Sequence, residues 1–457
     1  MRFSNKGLIK IILPLLAQQA LGVMVGLVDS VMVASAGDAA VSGVSLVNTL
    51  DILLIYAFSA LASGGSVVVA QFVGKGDHVV ARDSAKQLIY SATLVATVVT
   101  VIVLILRIPL LSALFGDVEA DVMGHAQSYF FFAALSFPFL ALYDSVAALF
   151  RAMGKTAVTM NVSILMNVLN VIGNAILIYG YNMGAAGAAI STLISRMIGS
   201  VLILILIHNK KNIIYVEKLF NFRPNFTIIK SILRIGIPNG IENSMFQFGK
   251  LLTQSLISSL GTVTIAANAV AHTLATFQYM PGSAIGTASI TIVGQCIGAG
   301  EKKEAKRYAR KLLMFTYIGL IAVVLLTFIL AKPVISLYGV SEESSALGLK
   351  LILYHGICAA VIWPVAFMVP YCFSAASDVK FKLVISMISM WVFRVALSYP
   401  LTLSSVNIFG ITISGLGLGA MGVWIAMTLD WLFRCIIFAI RFISGKWLTK
   451  YKPTAKV

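Results

Sequence analysis

The chain has 457 residues, of which 59% are apolar and 11% charged, and its mean hydropathy is +0.95; this excludes a soluble globular domain and describes a polytopic membrane protein. A formal net charge of +17 would suit a nucleic-acid binder, but the Lys and Arg residues lie between long apolar runs rather than on a basic arm, so they report membrane topology and no nucleic-acid partner is expected. The four cysteines, Cys296, Cys358, Cys372 and Cys435, fall inside apolar runs without CxxC spacing, which argues against a disulfide framework or a zinc site.

Breaking the sequence at charged or Gly/Asn/Pro-rich clusters gives twelve apolar segments, each long enough to span a bilayer. They are 8–34, 41–72, 88–112, 125–150, 158–180, 185–208, 231–258, 265–297, 310–335, 347–373, 381–403 and 416–441. Helices are the open-chain way to satisfy backbone groups in lipid, so the expected fold is all-α. The N-terminus precedes an apolar run too long for a signal sequence and reads as the start of helix 1. Lys and Arg concentrate at the N-terminus, in the even-numbered connections and in the tail. On the side of the odd-numbered connections only Arg107, Lys332 and Lys350 occur, within the last or first turns of the flanking segments. The positive-inside rule then places both termini in the cytoplasm.

The two halves of the chain repeat. A shift of 224 residues aligns Pro14 with Pro238, Gly37 with Gly261, Gln71 with Gln295, Gly74 with Gly298, Gly76 with Gly300 and Pro109 with Pro333, without a gap. Six crossings per repeat is an even number, so both repeats enter from the same side. They are therefore expected to be related by a pseudo-two-fold axis along the membrane normal, an arrangement typical of transporters. The expected organisation is an N-lobe at 1–207, a cytoplasmic linker at 208–230, a C-lobe at 231–443 and a basic cytoplasmic tail at 444–457.

On helix 1, Gln18, Gly22, Gly26 and Asp29 share one face, and the glycines are expected to admit a neighbouring helix. An ionisable residue inside a span is costly and marks a pathway by default. On helix 5, Asn167, Asn170 and Asn174 form an amide stripe that requires a wet cavity or polar partners. The simplest arrangement brings Asp29 together with these amides and a helix 6 hydroxyl such as Thr192, and Gln18 is expected to join the same cation-coupling group. In the second repeat Asp29 aligns with Thr253 and Gln18 with Glu242, so the lobes are not equivalent. Glu242 attracts cationic substrate or sits at the cytoplasmic mouth. Lys250 lies about 12 Å along the axis from Glu242 and off its face, so it needs another partner or water. Structural ion pairs are expected for Arg196, Arg394, Asp51 and Asp144, and an intrahelical pair for Asp430 and Arg434. Met245, Phe246, Gln247, Phe248, Phe277, Gln278, Tyr279 and Met280 bring soft and aromatic side chains into the second lobe, suited to flat organic cations, and with Glu242 and Lys250 they are the candidate substrate-binding residues. The GKT at 154–156 lacks the glycine of a P-loop, and no metal-ligand cluster or nucleophile–base spacing is present.

The repeat ends QFVGKGDHVVARDSAK and GQCIGAGEKKEAKR, with FRAMGKT after helix 4, SASDVKF after helix 10 and GAMGVWIAMTLDWLFR in helix 12, resemble the multidrug and toxic compound extrusion family over essentially the whole chain. The resemblance implies a twelve-helix antiporter, without cofactor or catalytic residues, that exports organic cations and other drugs in exchange for H⁺ or Na⁺ by alternating access. It implies a monomer in the cell (inner) membrane. It also implies a coupling site at Asp29, Asn170 and Thr192, with Asn174 where the family often has an acid, and Na⁺ as one candidate ion at Asp29. Other members carry a helix 7 acid where this chain has Phe246, and a helix 10 Asp where it has the run around Trp363 and Pro364. Rival readings are a flippase for a lipid-linked saccharide, an intramembrane enzyme and a channel.

Overall fold

The computed structural model describes residues 3–116, 118–217, 221, 223–408 and 411–451. Residues 218–220 and 222 of the expected linker and 452–457 of the expected tail lie outside the described residues.

Among the described residues, twelve helices account for the twelve apolar segments. They are α1 (Asn5–Ala34), α2 (Asp38–Lys75), α3 (His78–Phe115), α4 (Ala120–Ala152), α5 (Thr156–Gly180), α6 (Gly184–Ile207), α7 (Phe226–Ser258), α8 (Thr262–Gly298), α9 (Lys302–Leu337), α10 (Glu342–Ala375), α11 (Val379–Thr402) and α12 (Ala420–Ser444). Ten of them are long and apolar enough to cross a membrane. The other two, α7 and α8, are long enough but richer in amides and hydroxyls, and α7 also carries Lys230, Arg234, Glu242 and Lys250. At 1.5 Å per residue the 38-residue α2 is about 57 Å long, well beyond a hydrocarbon core of about 30 Å. Side chains close several helix starts: Ser4 accepts from Gly7 N–H, Asp77 from Val80 N–H and Ser341 from Ser344 N–H.

The internal repeat is visible in backbone detail. Pro14 and Pro238 lie inside α1 and α7, and Pro109 and Pro333 inside α3 and α9. Gly37 and Gly261 precede α2 and α8 at φ 101° and 93°, and Gly76 and Gly300 follow those helices at φ 81° and 77°. Residues with a Cβ rarely adopt such values, which is why these positions are glycine in both repeats. The all-helical expectation needs one amendment. A short antiparallel hairpin, β1 (Ser405–Ile408) and β2 (Ile411–Ser414), links α11 to α12, with Ser405 opposite Ser414. This stretch is rich in Val, Ile and Thr and too short to register as a span.

The chain forms two compact units, Met1–Gly240 and Ile241–Pro453, whose border falls inside α7. In the first, α2, α3 and α4 enclose a core around Val47, Phe58, Phe130 and Phe137. The described part of the linker is tied to this unit: Arg82 stacks on Tyr215 at 4.0 Å and donates to Ile213 O at 3.2 Å, while Gln87 donates to Arg223 O at 2.8 Å. The second unit has a core around Leu274, Leu351 and Trp424, with another around Trp363 and Trp431. Three π-helical stretches interrupt the spans, at Ala175–Gly180 in α5, Pro364–Met368 in α10 and Ser389–Ala396 in α11. Such insertions often re-aim side chains at functional positions, and two of these flank the polar clusters described next.

Candidate functional site

In the first unit the spacing of Asp29 on α1 and of Asn170 and Asn174 on α5 brings all three together. The Asn174 amide donates to Asp29 Oδ1 at 2.7 Å. With its nitrogen toward Asp29, Asn170 donates to Oδ1 at 2.8 Å and Oδ2 at 3.2 Å, and its oxygen accepts from the Thr192 hydroxyl of α6 at 3.1 Å. In the opposite orientation the Asn170 nitrogen donates to Thr192, and its oxygen faces the carboxyl. A charged carboxylate repels that oxygen, whereas a protonated one donates its O–H to it. The same four side chains therefore satisfy Asp29 in either charge state by turning one amide. Charge-assisted bonds of this kind each contribute about 1.5–3 kcal/mol.

The remaining expected residues of this group are placed differently. Asn167 lies one turn from Asn170, and its Nδ2 has no hydrogen-bond partner among the described residues. Gln18 accepts from the Thr159 hydroxyl at 3.4 Å. It lies about 16 Å along α1 from Asp29 at the helical rise and does not join the cluster. The expectation that Gly22 and Gly26 admit a close helix is corrected by the structure: a Cβ at either position would meet nothing within 4 Å. They leave open space on the Asp29 face.

Arg196 on α6 donates to the Ser136 hydroxyl at 2.6 Å and is within Coulombic reach of Asp29, Asp51 and Asp144. The expected ion pair is not formed by Arg196, which has no carboxylate within 4 Å among the described residues. Asp51 is buried and its Oδ1 has no hydrogen-bond partner among the described residues, and Asp144 accepts from Ser59 at 2.7 Å.

The second unit holds a different constellation. Glu242 on α7 forms an ion pair with Lys382 at 2.8 Å and accepts from Ser386 at 2.7 Å, both on α11. It is neutralised rather than free to attract a cation. Asp430 on α12 is fully buried. It pairs with Arg434 at 2.7 Å, accepts from Ser389 and lies 3.7 Å from Arg394. The expected Asp430–Arg434 pair is thus present, and Arg394 shares its carboxylate. Gly249 allows Met390 of α11 to pack flush on α7, since a Cβ there would collide with it. That close approach sets Arg394, one turn after Met390, beside the Phe246–Lys250 face.

Three cations surround the Phe246 ring: Lys250 Nζ at 5.2 Å, Arg394 at 5.2 Å and Arg434 at 5.5 Å from its centre. Phe246 leads into an aromatic group through Phe367, which stacks on Trp363, which in turn stacks on Tyr279. Of the other expected substrate residues, Gln278 is buried against His355 at 2.6 Å and Met280 is buried in the core. Met245, Gln247 and Phe277 are partly buried. No carboxylate lies within 4 Å of Lys250 among the described residues. The cost of a Lys within a span is about 2.5–3.5 kcal/mol, and a cation–π contact contributes about 0.5–2 kcal/mol. Packing on Phe246 alone therefore does not account for Lys250.

The basic group was not singled out as a unit from sequence, yet a signal for it existed. The same 224-residue shift sets Gly22 against Phe246 and Gly26 against Lys250. Two positions on the Asp29 face of α1 thus carry an aromatic and a cation at the matching places of α7.

Two six-helix repeats, each with ionisable groups held inside membrane spans, define an integral membrane transport protein. The MatE family model matches residues 14–176 and again residues 238–400, at the same offset as the internal repeat. The chain belongs to this family of multidrug and toxic compound extrusion transporters. It is similar to "Uncharacterized transporter YisQ" of Bacillus subtilis, with 27% identity over 96% of this chain and 94% of that protein. It is also similar to "Probable multidrug resistance protein NorM" of Thermotoga maritima, with 24% identity over 97% and 93%. Its fold matches a solved outward-facing multidrug resistance MATE family transporter of the MOP superfamily with a TM-score of 0.84, 19% identity and 96% coverage of both chains.

Proposed function

We propose that the protein is a secondary active antiporter that exports drug-like organic molecules across the cell membrane in exchange for H⁺ or Na⁺ taken up at Asp29, acting as a monomer with both termini cytoplasmic. The observation that carries this reading is the Asp29–Asn170–Asn174–Thr192 cluster, which can satisfy its carboxyl charged or neutral. Exchange of H⁺ requires a carboxyl that is stable in both forms. Exchange of Na⁺ requires a charged carboxylate with neutral oxygens beside it, and the Asn174 Oδ1 has no hydrogen-bond donor among the described residues. The open face at Gly22 and Gly26 gives an ion access to Asp29. The driving force is adequate: about 2.3 kcal/mol per charge per 100 mV, plus about 1.4 kcal/mol per tenfold ion gradient. Relatives named as multidrug resistance proteins support drug-like cargo.

The test is efflux from proteoliposomes under separately imposed pH and Na⁺ gradients, with wild type and Asp29→Asn. One gradient is expected to drive efflux in wild type and to fail in the variant. Unchanged gradient-driven efflux in Asp29→Asn would overturn the role of Asp29.

A further inference from the structure

The chemical class of the cargo can be read from the second unit. Where α7, α11 and α12 meet, the described residues place four cations, Lys250, Lys382, Arg394 and Arg434, beside the carboxylates Glu242 and Asp430, while the buried Asp378 is paired with Arg441. Glu242 is engaged by Lys382, and Asp430 is bonded to Arg434 and Ser389. Lys250 is left without a carboxylate among the described residues, and Arg394, 7% exposed, meets Asp430 Oδ2 only at 3.7 Å, so its Nη1 makes an ion pair but no hydrogen bond there. These two groups sit against the same Phe246 ring and within Coulombic reach of each other. Like charges converge in this way where an anion is to be held, because each cation desolvates at the other's expense unless negative charge arrives.

The aromatic group argues in the same direction. A cationic drug would use an aromatic face for its own cation–π contact, but the Phe246 ring already serves the protein's own cations, and a second positive charge would be repelled by them. An anionic head near Lys250 and the Arg394 Nη1 would instead leave a flat apolar body to pack against the part-exposed Tyr279 and Phe367, which stack on the buried Trp363.

We infer that the second unit binds amphiphilic aromatic anions, of the aryl carboxylate or aryl sulfonate class, with Lys250 and Arg394 holding the acid group and the aromatic stack holding the ring. This replaces the organic-cation expectation for that lobe. It rests on the antiporter reading only in that export is the fate of the bound anion. The internal repeat supports it independently: Lys250 stands where the first repeat has Gly26, on the face of α1 that carries Asp29, so the second repeat places a positive charge on the face where the first places a negative one.

The test uses two probes with the same ring and opposite charge, naphthalene-2-sulfonate and naphthalen-2-yl-trimethylammonium, titrated calorimetrically into the purified full-length protein in neutral detergent. Wild type is expected to bind the sulfonate at least tenfold more tightly than the ammonium. Lys250→Gln is expected to weaken the sulfonate at least tenfold, and Lys250→Arg to restore most of the loss. Preferential binding of the ammonium probe, or sulfonate binding unaltered in Lys250→Gln, would overturn the inference. The two-probe comparison in wild type needs no variant, so it stands even where a variant misfolds. Binding requires no ion gradient, so it is read separately from export. Sulfonate binding without gradient-driven efflux would count against the antiporter reading alone, and gradient-driven efflux without sulfonate binding against this inference alone.

Discussion

Removing the Asp430 carboxylate tests whether the buried charges of α12 are structural. Asp430 is fully buried, accepts from Arg434 at 2.7 Å and from Ser389, and lies 3.7 Å from Arg394. Asp430→Asn keeps the shape and leaves two guanidinium groups, 3% and 7% exposed, without an anion. Breaking a buried pair from one side costs about 3–5 kcal/mol. Arg434 keeps its bonds to Ser386 Oγ and O at 3.2 Å each and its position over Phe246 and Phe367, so the lower end of that range, about 3 kcal/mol, is expected. The assay is thermal inactivation of the detergent-solubilised protein, followed by Trp fluorescence and by the monodisperse fraction remaining, because large membrane proteins unfold irreversibly and report a rate. The variant should inactivate at clearly lower temperature. Asp430→Asn combined with Arg434→Met should recover part of the loss, since neighbouring charges couple. If Asp430→Asn melts like wild type and loses transport, the carboxylate serves transport and the structural assignment is wrong.

Two other substitutions probe local packing and charge. A Cβ on Gly64 would lie 2.7 Å from Gly236 N and Ile232 O, so Gly64→Leu forces α2 from the first half of α7 and should cost at least about 1–3 kcal/mol. Its melting temperature should fall well below that of a Leu substitution at Gly124, where nothing lies within 4 Å, and equal melting would refute the crossing. Glu242→Gln removes the partner of Lys382, whose side chain is 12% exposed and retains Ser374 at 3.1 Å. A loss of about 1–2 kcal/mol is expected, below that of a fully buried pair. A melting temperature equal to wild type would show that Lys382 is compensated elsewhere.

The spans were legible because lipid leaves the backbone one choice, and the repeat was legible because glycines at positive φ and prolines inside helices cannot be exchanged freely. The Asp29 cluster could be read in part, since Asn170 and Asn174 lie one turn apart on α5 and a stripe of amides in a span demands a polar partner. Gln18 shares the helix face of Asp29 but not its depth, lying about 16 Å away along the axis, and a shared face alone does not reveal that. The Gly22 and Gly26 face was read as a packing seam, although small residues on one helix do not reveal whether a neighbour fills the space. Arg394 and Lys250 were noticed singly. Their convergence depends on α7 and α11 meeting at Gly249 and Met390, a contact between segments about 140 residues apart that no local pattern encodes.

The opposite polarity of the two repeats can be tested by exchanging one position. Thr253 aligns with Asp29, is 8% exposed and spends its hydroxyl on the Lys250 carbonyl at 2.9 Å. It lies three residues after Lys250, so the two side chains are neighbours on α7. Thr253→Asp therefore supplies the carboxylate that Lys250 lacks. At about 4 Å and an effective dielectric constant of about 20 their attraction is about 4 kcal/mol, much of it offset by desolvation of the new charge. A net third of that, about 1.4 kcal/mol, already corresponds to a tenfold change in binding. Naphthalene-2-sulfonate should thus bind at least tenfold more weakly to Thr253→Asp than to wild type, with the ammonium probe gaining relative to it. Thr253→Asn, equal in size and neutral, should bind the sulfonate within a few-fold of wild type. If the two variants lose sulfonate binding equally, the effect is steric, and charge at Lys250 does not set the polarity of this lobe.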